Sequence, residues 1–409
     1  MKYVIIGNSA AAIGAVEGIR QLDREGQIAI ITDEPHHTYA RPLISYLLLG
    51  KTTEEKMKYR GNSFYLDNAV ALFTDVSVTR ICISEKQLEL SDGRAIPYDK
   101  LLVATGSSAF VPTFAGLDSV QHRHTFMNLN DALGLEADIN EHKRVLIVGA
   151  GLIGLKCAEG ILARAKKVTV LDLAPRILSS ILDEDGAAMV QSHLETHGVE
   201  FVLSDGAECF ERDVAILRSG RKLHFDVLVL AVGVRPNTSL LKGIADIDRG
   251  ILINGKSETS AKDIYAAGDC TQTTDASSGQ SKIMALLPNA YMQGECAGIN
   301  MAGAEHSFDK AIPMNAIGFF GLHIITAGNY QGESYLEHTD HSYKRLYYGD
   351  DHLNGYILIG NVERAGIYTS LIREQTPIDA IDFPLICQNP GLMAFTRDDR
   401  KRKLGGESI

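Results

Sequence analysis

Two segments of the chain show the same pattern, a short apolar run that turns through glycine into a helix-like stretch. An acidic residue follows each segment at the end of a second apolar run, Asp33 in the first case and Asp172 in the second. Such a turn places a helix N-terminus, with its free N–H groups and positive dipole end, against a pyrophosphate, while the acid meets a ribose hydroxyl. Two copies predict two bound dinucleotides, and a common reason for holding two is to pass a hydride between them.

The second turn carries the complete glycine pattern. After Arg144, residues 145–148 form an apolar run, and Gly149, Gly151 and Gly154 follow with the spacing G-x-G-x-x-G. Glycine permits the tight turn and lets the backbone approach the pyrophosphate closely. Asp172 lies near the usual distance of about 20 residues from the first glycine, so this segment is a strong match to a dinucleotide site.

The first turn is less complete. Of its three glycine positions only Gly7 is glycine, with Ser9 and Ala12 at the other two, so an ordinary buried strand and helix is an open alternative. Two later apolar runs that end in glycine turns, at 104–106 and 268–270, support a ligand site. The second of these turns carries an aspartate, which can accept hydrogen bonds from a polyol such as a ribityl chain.

Taken together, these motifs resemble those of a known superfamily. They are Gly7-x-Ser-Ala-Ala, Ala104-Thr-Gly, Gly149-x-Gly-x-x-Gly, Ala231-Val-Gly-x-Arg-Pro-Asn and Ile264-Tyr-Ala-Ala-Gly-Asp. The chain resembles the pyridine nucleotide-disulfide oxidoreductases over about residues 1–375. Within them it is similar to NADH:rubredoxin reductases, the flavin part of the NADH-dependent nitrite reductase large subunit, and FAD-NAD oxidoreductases that accompany carbon monoxide dehydrogenases. The resemblance implies FAD and NAD as cofactors.

The resemblance also implies the architecture. We expect an α/β fold with two Rossmann-like dinucleotide-binding domains and a small α+β C-terminal domain. The FAD-binding domain is expected at 1–112 and 238–306, the inserted NAD-binding domain at 113–237, and the C-terminal domain with a basic tail at 307–409. The repeated order of loop, acid, hairpin and glycine turn is typical of an internal duplication.

The resemblance assigns two sets of cofactor contacts. The FAD set is Gly7, Ser9, Ala10, Ala11, Asp33, Arg41, Pro42, Val78, Ala104, Thr105, Gly106, Gly268, Asp269 and Leu287. The NAD set is Gly149, Gly151, Leu152, Ile153, Gly154, Asp172 and Gly233. Asp33 would hold the adenosine ribose, Val78 the adenine region and Asp269 the ribityl chain. The helix that begins at Leu287 would direct its N-terminus to the flavin pyrimidine ring. His124 stands where the family has an arginine, and we expect it to be a surface histidine.

Two residues depart from the family pattern at the expected hydride-transfer site. Related reductases pair a lysine after the serine at position 45 with a glutamate two residues after the third loop glycine, whereas this chain has Tyr46 and Lys156 there. We expect Lys156 to lie against the phenol ring of Tyr46 and to stabilise the reduced, anionic flavin. The alternative is that Lys156 lies on an exposed helix face.

The distribution of cysteines indicates where the electrons go. The six cysteines show no CxxC or metal-site spacing, none precedes Cys82, and position 10 is alanine where the peroxide-reducing branch has histidine. No metal site is expected, and Cys270 is expected to be a buried, inert residue. Without a redox-active cysteine to take its electrons, the reduced flavin must pass them outward, which favours a one-electron iron-sulfur carrier, rubredoxin or ferredoxin. An NADH oxidase, a nitrite reductase feeder, and a flavoprotein that only switches an interaction are the alternatives.

Composition limits the other partners and the compartment. A net charge of −11 argues against nucleic acid as a partner, and we expect no membrane or export segment. The scattered thiols indicate the cytoplasm. NADH is expected rather than NADPH because Asp172 would repel a 2′-phosphate, with Arg176 as a nearby cation that could oppose this preference. The basic cluster at 397–403 is either a docking surface for an acidic carrier or a solvated terminus.

Overall fold

The computed structural model describes the backbone of residues 1–405 and the side chains of residues 1–401. The chain divides into two compact units, Met1–Thr273 with Ala285–Phe308, and Thr274–Met284 with the residues from Asp309 onward. The part of the basic tail beyond residue 401 lies outside the described side chains. No helix in the described part of the chain is both long and apolar enough to cross a bilayer.

The first unit contains most of the strands and eight α-helices of the described chain. Its strands are β1 (Lys2–Ile6), β2 (Gln27–Ile31), β3 (Val70–Phe73), β4 (Val78–Cys82), β5 (Gln87–Leu90), β6 (Ala95–Pro97), β7 (Lys100–Val103), β8 (Ser107–Ala109), β9 (Arg123–His124), β10 (Arg144–Val148), β11 (Lys167–Leu171), β12 (Val199–Val202), β13 (Ala207–Glu211), β14 (Val214–Leu217), β15 (Lys222–His224), β16 (Val227–Leu230), β17 (Val234–Pro236), β18 (Ile251–Leu252), β19 (Ile264–Ala266) and β20 (Thr271–Thr274), whose last residue falls in the second unit. Its helices are α1 (Ala10–Leu22), α2 (Ile44–Leu48), α3 (Glu54–Met57), α4 (Phe64–Asp67), α5 (Leu129–Asp138), α6 (Leu152–Ile161), α7 (Glu184–Thr196) and α8 (Leu287–Met301).

The first parallel sheet has the strand order β19-β7-β1-β2-β3. Both faces of β1 are buried, because Ile5 packs against α1 and α8 while Val4 packs against the layer formed by β4, β5 and β6. This is why the strand reads as a continuous apolar run rather than an alternating one. The strand ends of β1, β7 and β19 therefore lie side by side at one edge of the sheet.

The second parallel sheet repeats this arrangement with the order β12-β11-β10-β16-β9. Its central strand β10 pairs with β11 and β16, as β1 pairs with β2 and β7. The three-stranded antiparallel sheet β13-β14-β15 covers one face through Phe210, Ala215 and Leu217. The expected α/β fold with two Rossmann-like halves is confirmed, whereas the domain boundaries remain a prediction.

A short antiparallel pair, β8 with β17, joins the two sheets. The Asn237 side chain closes this neck, because its amide nitrogen donates to the Thr105 carbonyl at 2.9 Å and its oxygen accepts from the Ser108 hydroxyl at 2.8 Å. The chain therefore enters and leaves the second sheet through adjacent strands.

Helices α1 and α8 pack with unusually close backbones. Gly14 and Gly18 of α1 face Gly294 and Gly298 of α8, and a Cβ atom at any of the four would overlap the backbone of the other helix. Position 14 meets 291 and position 18 meets 295, so the helices run parallel and begin at the same level. Their two N-termini therefore lie next to each other.

The second unit is a smaller α+β structure. Its elements are β21 (Ser281–Lys282), β22 (Met314–Phe319), β23 (Leu322–Gly328), β24 (Glu333–His338), β25 (Tyr343–Gly349), β26 (His352–Ile359), α9 (Ala365–Arg373), α10 (Phe383–Gln388) and α11 (Arg397–Gly405). An antiparallel sheet of order β22-β23-β26-β25-β24 packs against α9 around Tyr356, Tyr368 and Ile372.

Candidate functional site

The first loop is built by a glycine in a left-handed backbone conformation. Gly7 has φ +108°, its N–H donates to the Ile31 carbonyl at 2.8 Å, and a Cβ atom would overlap the Ala104 carbonyl oxygen. Helix α1 begins at Ala10, and the Ser9 side chain makes no capping hydrogen bond. The first N–H groups of α1 are thus not capped by Ser9, as a pyrophosphate site requires.

The second loop has the same geometry. Gly149 has φ +116°, its N–H donates to the Leu171 carbonyl at 2.8 Å, and a Cβ atom would overlap the Ala231 carbonyl oxygen. Helix α6 follows directly, with Leu152 and Ile153 in its first turn and no side-chain cap at Gly151. A Cβ atom on Gly151 would meet no protein atom within 4 Å, so this loop surface is open to a ligand.

Asp172 fixes the second loop from the neighbouring strand. Its carboxylate accepts hydrogen bonds from the N–H groups of Ala150 at 2.6 Å and Ala174 at 2.8 Å. Leu173 beside it is exposed, while the Arg176 guanidinium donates to the Leu182 carbonyl at 3.4 Å. Asp172 therefore lies beside the pyrophosphate loop, with its remaining lone pairs available to a ribose hydroxyl.

The structure does not place Asp33 where Asp172 lies in the second half. The first loop glycine bonds to the carbonyl of Ile31 in one half and of Leu171 in the other, so Thr32 is the equivalent of Asp172. Asp33 is exposed. The small cavity beside the first loop is lined instead by Thr32, Glu34 and their neighbours Asn8, Ser9, His36, His37, Tyr39 and Arg41. Glu34, which the sequence did not single out, is the carboxylate at this cavity.

A hydrogen-bonded cluster forms the wall of this cavity. Arg41 makes an ion pair with Glu34, and Tyr39 donates from its hydroxyl to the same carboxylate at 2.6 Å. The Tyr39 oxygen also accepts from the Leu129 N–H at 3.0 Å. Burial opposes the charge of Arg41, but Tyr39 and Glu34 outweigh it and raise the arginine pKa. The cavity therefore carries a permanent cation, which suits a diphosphate. Pro42, which follows Arg41 in a short 3-10 helix, is exposed.

The glycine turns after β7 and β19 meet beside the first loop. The Gly268 N–H donates to the Gln293 side chain at 2.8 Å, and Asp269 accepts from the Ser107 hydroxyl at 3.2 Å. Burial raises the pKa of Asp269, while Ser107 and the charge of Arg41 oppose that shift.

The predicted residues of these turns lie close to one another. Ala104 forms the backbone contact with Gly7, the Thr105 hydroxyl donates to the Asn237 carbonyl at 2.7 Å, and Gly106 accepts from the Asn237 N–H at 2.9 Å. Gly233 lies at the start of the neck, where its carbonyl accepts from the Phe110 N–H. Val78 packs in the layer beneath the first sheet.

Helix α8 contributes a second uncapped N-terminus. It begins at Leu287, the Leu286 side chain makes no capping bond, and its first turn contains no acidic residue. Because α1 and α8 start at the same level, the positive ends of both dipoles lie at one place. Such a pair favours negative charge on a bound ligand.

Lys156 is not on an exposed helix face, so that alternative was wrong. Its side chain is 14% exposed, forms an ion pair with Glu159 on the same helix, and places Nζ 4.5 Å from the ring centre of Tyr46. The expected contact between Lys156 and Tyr46 is present. Glu159, which the sequence did not single out, is 5% exposed.

His124 is also not the surface histidine that we expected. Its ring is 15% exposed and its Nε2 lies 2.8 Å from the Asp138 carboxylate, which His122 also contacts at 3.0 Å. These two contacts lower the pKa of Asp138 against the opposing effect of burial. Because both ring contacts shown for His124 and His122 go to Asp138, this cluster supports the local packing of α5.

The cysteines behave as predicted. All six are free, and Cys270 is fully buried in the core beneath the first sheet. Burial raises the pKa of its thiol to about 11. Cys157 is likewise fully buried, and burial raises its pKa further. Neither thiol has the low pKa of a redox-active cysteine.

Comparisons with known proteins identify the family to which the chain belongs. Residues 1–294 match the family model of pyridine nucleotide-disulphide oxidoreductases. The chain is 30% identical over 92% of both sequences to the NADH-dependent phenylglyoxylate dehydrogenase subunit epsilon of Aromatoleum evansii. It is 28% identical to the rubredoxin-NAD(+) reductase of Pseudomonas putida, over 75% of this chain and 81% of that one. It spans about half of the Bacillus subtilis nitrite reductase [NAD(P)H], at 27% identity over 92% of its own length.

Solved structures share the fold. Putidaredoxin reductase, from its covalent complex with putidaredoxin, matches with a TM-score of 0.88 over 99% of both chains at 22% identity. NADH:rubredoxin oxidoreductase from Clostridium acetobutylicum matches with a TM-score of 0.76 over 95% of this chain and 99% of that one, at 24% identity. The chain belongs to the pyridine nucleotide-disulphide oxidoreductase family and is an NAD(H)-dependent flavoprotein oxidoreductase with FAD and NAD(H) as cofactors.

Proposed function

We propose that this flavoprotein transfers electrons between NADH and a small iron-sulfur carrier protein, rubredoxin or ferredoxin. The observation that carries the proposal is the absence of a sulfur acceptor. No cysteine lies before Cys82, and Cys270 and Cys157 are buried thiols with raised pKa values. When bound, FAD can take a hydride from NADH and release electrons singly, so an external one-electron acceptor completes the reaction.

The residues act by binding and orienting the two cofactors. We propose that the first loop, Arg41 and Asp269 hold FAD, with Glu34 in place of Asp33 near the adenosine ribose. The second loop and Asp172 hold NADH. The N-termini of α1 and α8 and the ammonium group of Lys156 favour negative charge on the flavin side. The FAD and NAD domains then correspond to the halves built on the first and second sheets.

Named relatives support an iron-sulfur acceptor without identifying it. One is named a rubredoxin-NAD(+) reductase, and one of matching length is named a subunit of an NADH-dependent dehydrogenase. The same reaction can proceed in reverse, with the reduced carrier protein supplying electrons to NAD⁺, where the reduction potentials permit. Another relative is named an NADH oxidase, and this alternative is tested in the same experiment.

The test is steady-state turnover with purified, FAD-loaded protein. NADH oxidation is measured with rubredoxin, with a [2Fe–2S] ferredoxin, and with oxygen alone. We expect at least tenfold higher kcat/KM with a carrier than with oxygen. Equal rates with oxygen would assign an oxidase, and slow turnover with every acceptor, together with a long-lived NADH complex, would assign a redox switch.

A further inference from the structure

A buried ion pair lies in α6, one turn after the second glycine loop. Lys156 is 14% exposed and Glu159 is 5% exposed. Removing two charges from water costs several kcal/mol per ion, and replacing such a pair by apolar residues is often neutral or stabilising. Stability alone is therefore a poor reason for this chain to keep both charges.

The pair lies where the two nucleotide-binding halves touch. Helix α6 continues from the second loop, whereas α2 follows the Arg41 segment at the cavity beside the first loop. Lys156 contacts Tyr46 of α2, and a Cβ atom on Gly160 would lie only 3.1 Å from the Ser45 carbonyl oxygen. The position is thus between the expected FAD and NADH sites, where the hydride would pass.

We propose that Glu159 is a positioning residue that sets how strongly the charge of Lys156 acts on the bound flavin. Glu159 holds the ammonium group beside the Tyr46 ring and partly neutralises it. The inference rests on the proposed placement of the two cofactors. A cation near the flavin stabilises its reduced, anionic form, and a carboxylate destabilises it. The two members of the pair therefore act on the flavin reduction potential with opposite signs.

Opposite signs distinguish this role from a structural one. If the pair served only to pack α6 against α2, removing either charge would loosen the same contact and change the flavin environment in the same direction. In the electrostatic model, Lys156→Met lowers the potential and Glu159→Gln raises it. Removing both charges restores a value near that of the parent protein, because the two effects cancel.

The experiment is a redox titration of FAD in the full-length, FAD-loaded protein, without NADH or any carrier. We expect each single variant to change the two-electron reduction equilibrium constant by about tenfold, which is about 30 mV. The matched control is the exposed pair Lys167 and Glu200, 2.8 Å apart in the second sheet, where Lys167→Met and Glu200→Gln should leave the potential unchanged. Melting temperature and FAD content are recorded for every variant.

Shifts of both single variants in the same direction, or no shift in either, would overturn the proposal. If one single variant does not fold, the sign of the shift in the other decides, because Lys156→Met must lower the potential and Glu159→Gln must raise it. Because no carrier protein is present in the titration, the measured flavin potentials do not depend on which electron acceptor the protein uses. The turnover assay can therefore refute the proposed function while the opposite potential shifts support the role of Glu159. Equally, the titration can refute the role of Glu159 while the turnover assay supports the proposed function.

Discussion

The close contact between α1 and α8 predicts that Gly294→Ala lowers the free energy of unfolding. An added Cβ atom would overlap the carbonyl oxygen of Ala11 and would lie 2.7 Å from its carbonyl carbon and 2.8 Å from its Cα, where carbon atoms ordinarily stay about 3.5–4.0 Å apart. The helices must then separate by roughly 1 Å, and such overpacking costs about 1–3 kcal/mol. Replacing a helical glycine by alanine returns only about 0.5–1 kcal/mol. We therefore expect a net loss of up to about 2.5 kcal/mol in the free energy of unfolding.

The assay is thermal unfolding of the FAD-loaded and FAD-free protein, together with the dissociation constant for FAD. A loss of this size lowers the melting temperature by about 2–4 °C per kcal/mol in a domain of this size. The dissociation constant should rise, because the two helix N-termini move apart. The matched control is Gly134→Ala in α5, where the new Cβ would lie 3.6 Å from the His124 ring and should stabilise by about 0.5–1 kcal/mol. Stabilisation by Gly294→Ala, or unchanged FAD binding, would refute the reasoning.

Three further predictions follow from single features of the chain. Asp172→Asn removes the charge expected to repel a 2′-phosphate, so the ratio of kcat/KM for NADH over NADPH should fall about tenfold. An unchanged ratio would show that residues other than Asp172 set the preference for NADH. Hydrogen bonds from Lys100 and Lys86 lower the pKa of Asp263 from 3.8 to about 2. This depressed pKa stabilises the folded state above pH 3.8, and the stabilisation is lost as the pH falls toward about 2. Asp263→Asn should therefore make the free energy of unfolding less dependent on pH between these values. An unaltered pH dependence would exclude this contribution. Deletion of residues 397–409 should raise the KM for an acidic carrier and flatten its salt dependence, with flavin reduction by NADH intact; no change in either would assign the tail as a solvated terminus.

The sequence predicted the two loops because their geometry leaves little choice. Gly149 and Gly7 lie at positive φ with a carbonyl oxygen where a side chain would begin, and few residues other than glycine fit. The continuous apolar runs of β1 and β10 follow from burial on both faces. Each feature leaves a direct mark on the sequence, a glycine in the loop and an unbroken apolar run in the strand, so the residue pattern is sufficient to predict them.

Features that depend on long-range packing were not predictable in the same way. Asp33 and Glu34 are adjacent acids, and the apolar run does not show that β2 ends at Ile31, which turns Asp33 to solvent. Glu159 follows Lys156 at helix spacing, but that spacing does not show that its side chain is only 5% exposed. His124 meets Asp138 only because β9 adds to the edge of the second sheet.

The neck between β8 and β17 has a consequence for how the protein forms during synthesis. The last strand of the second sheet is complete at Leu230, whereas the first sheet lacks β19 until Ala266 and α1 lacks its partner α8 until Met301. The embedded half can thus fold on the ribosome before the half that encloses it. At a synthesis rate of about 5–20 residues per second, β7 lacks its neighbour β19 and the glycines of α1 lack α8 for several seconds. A nascent chain whose residues up to Asn237 have left the ribosome should accordingly bind NADH before it can bind FAD.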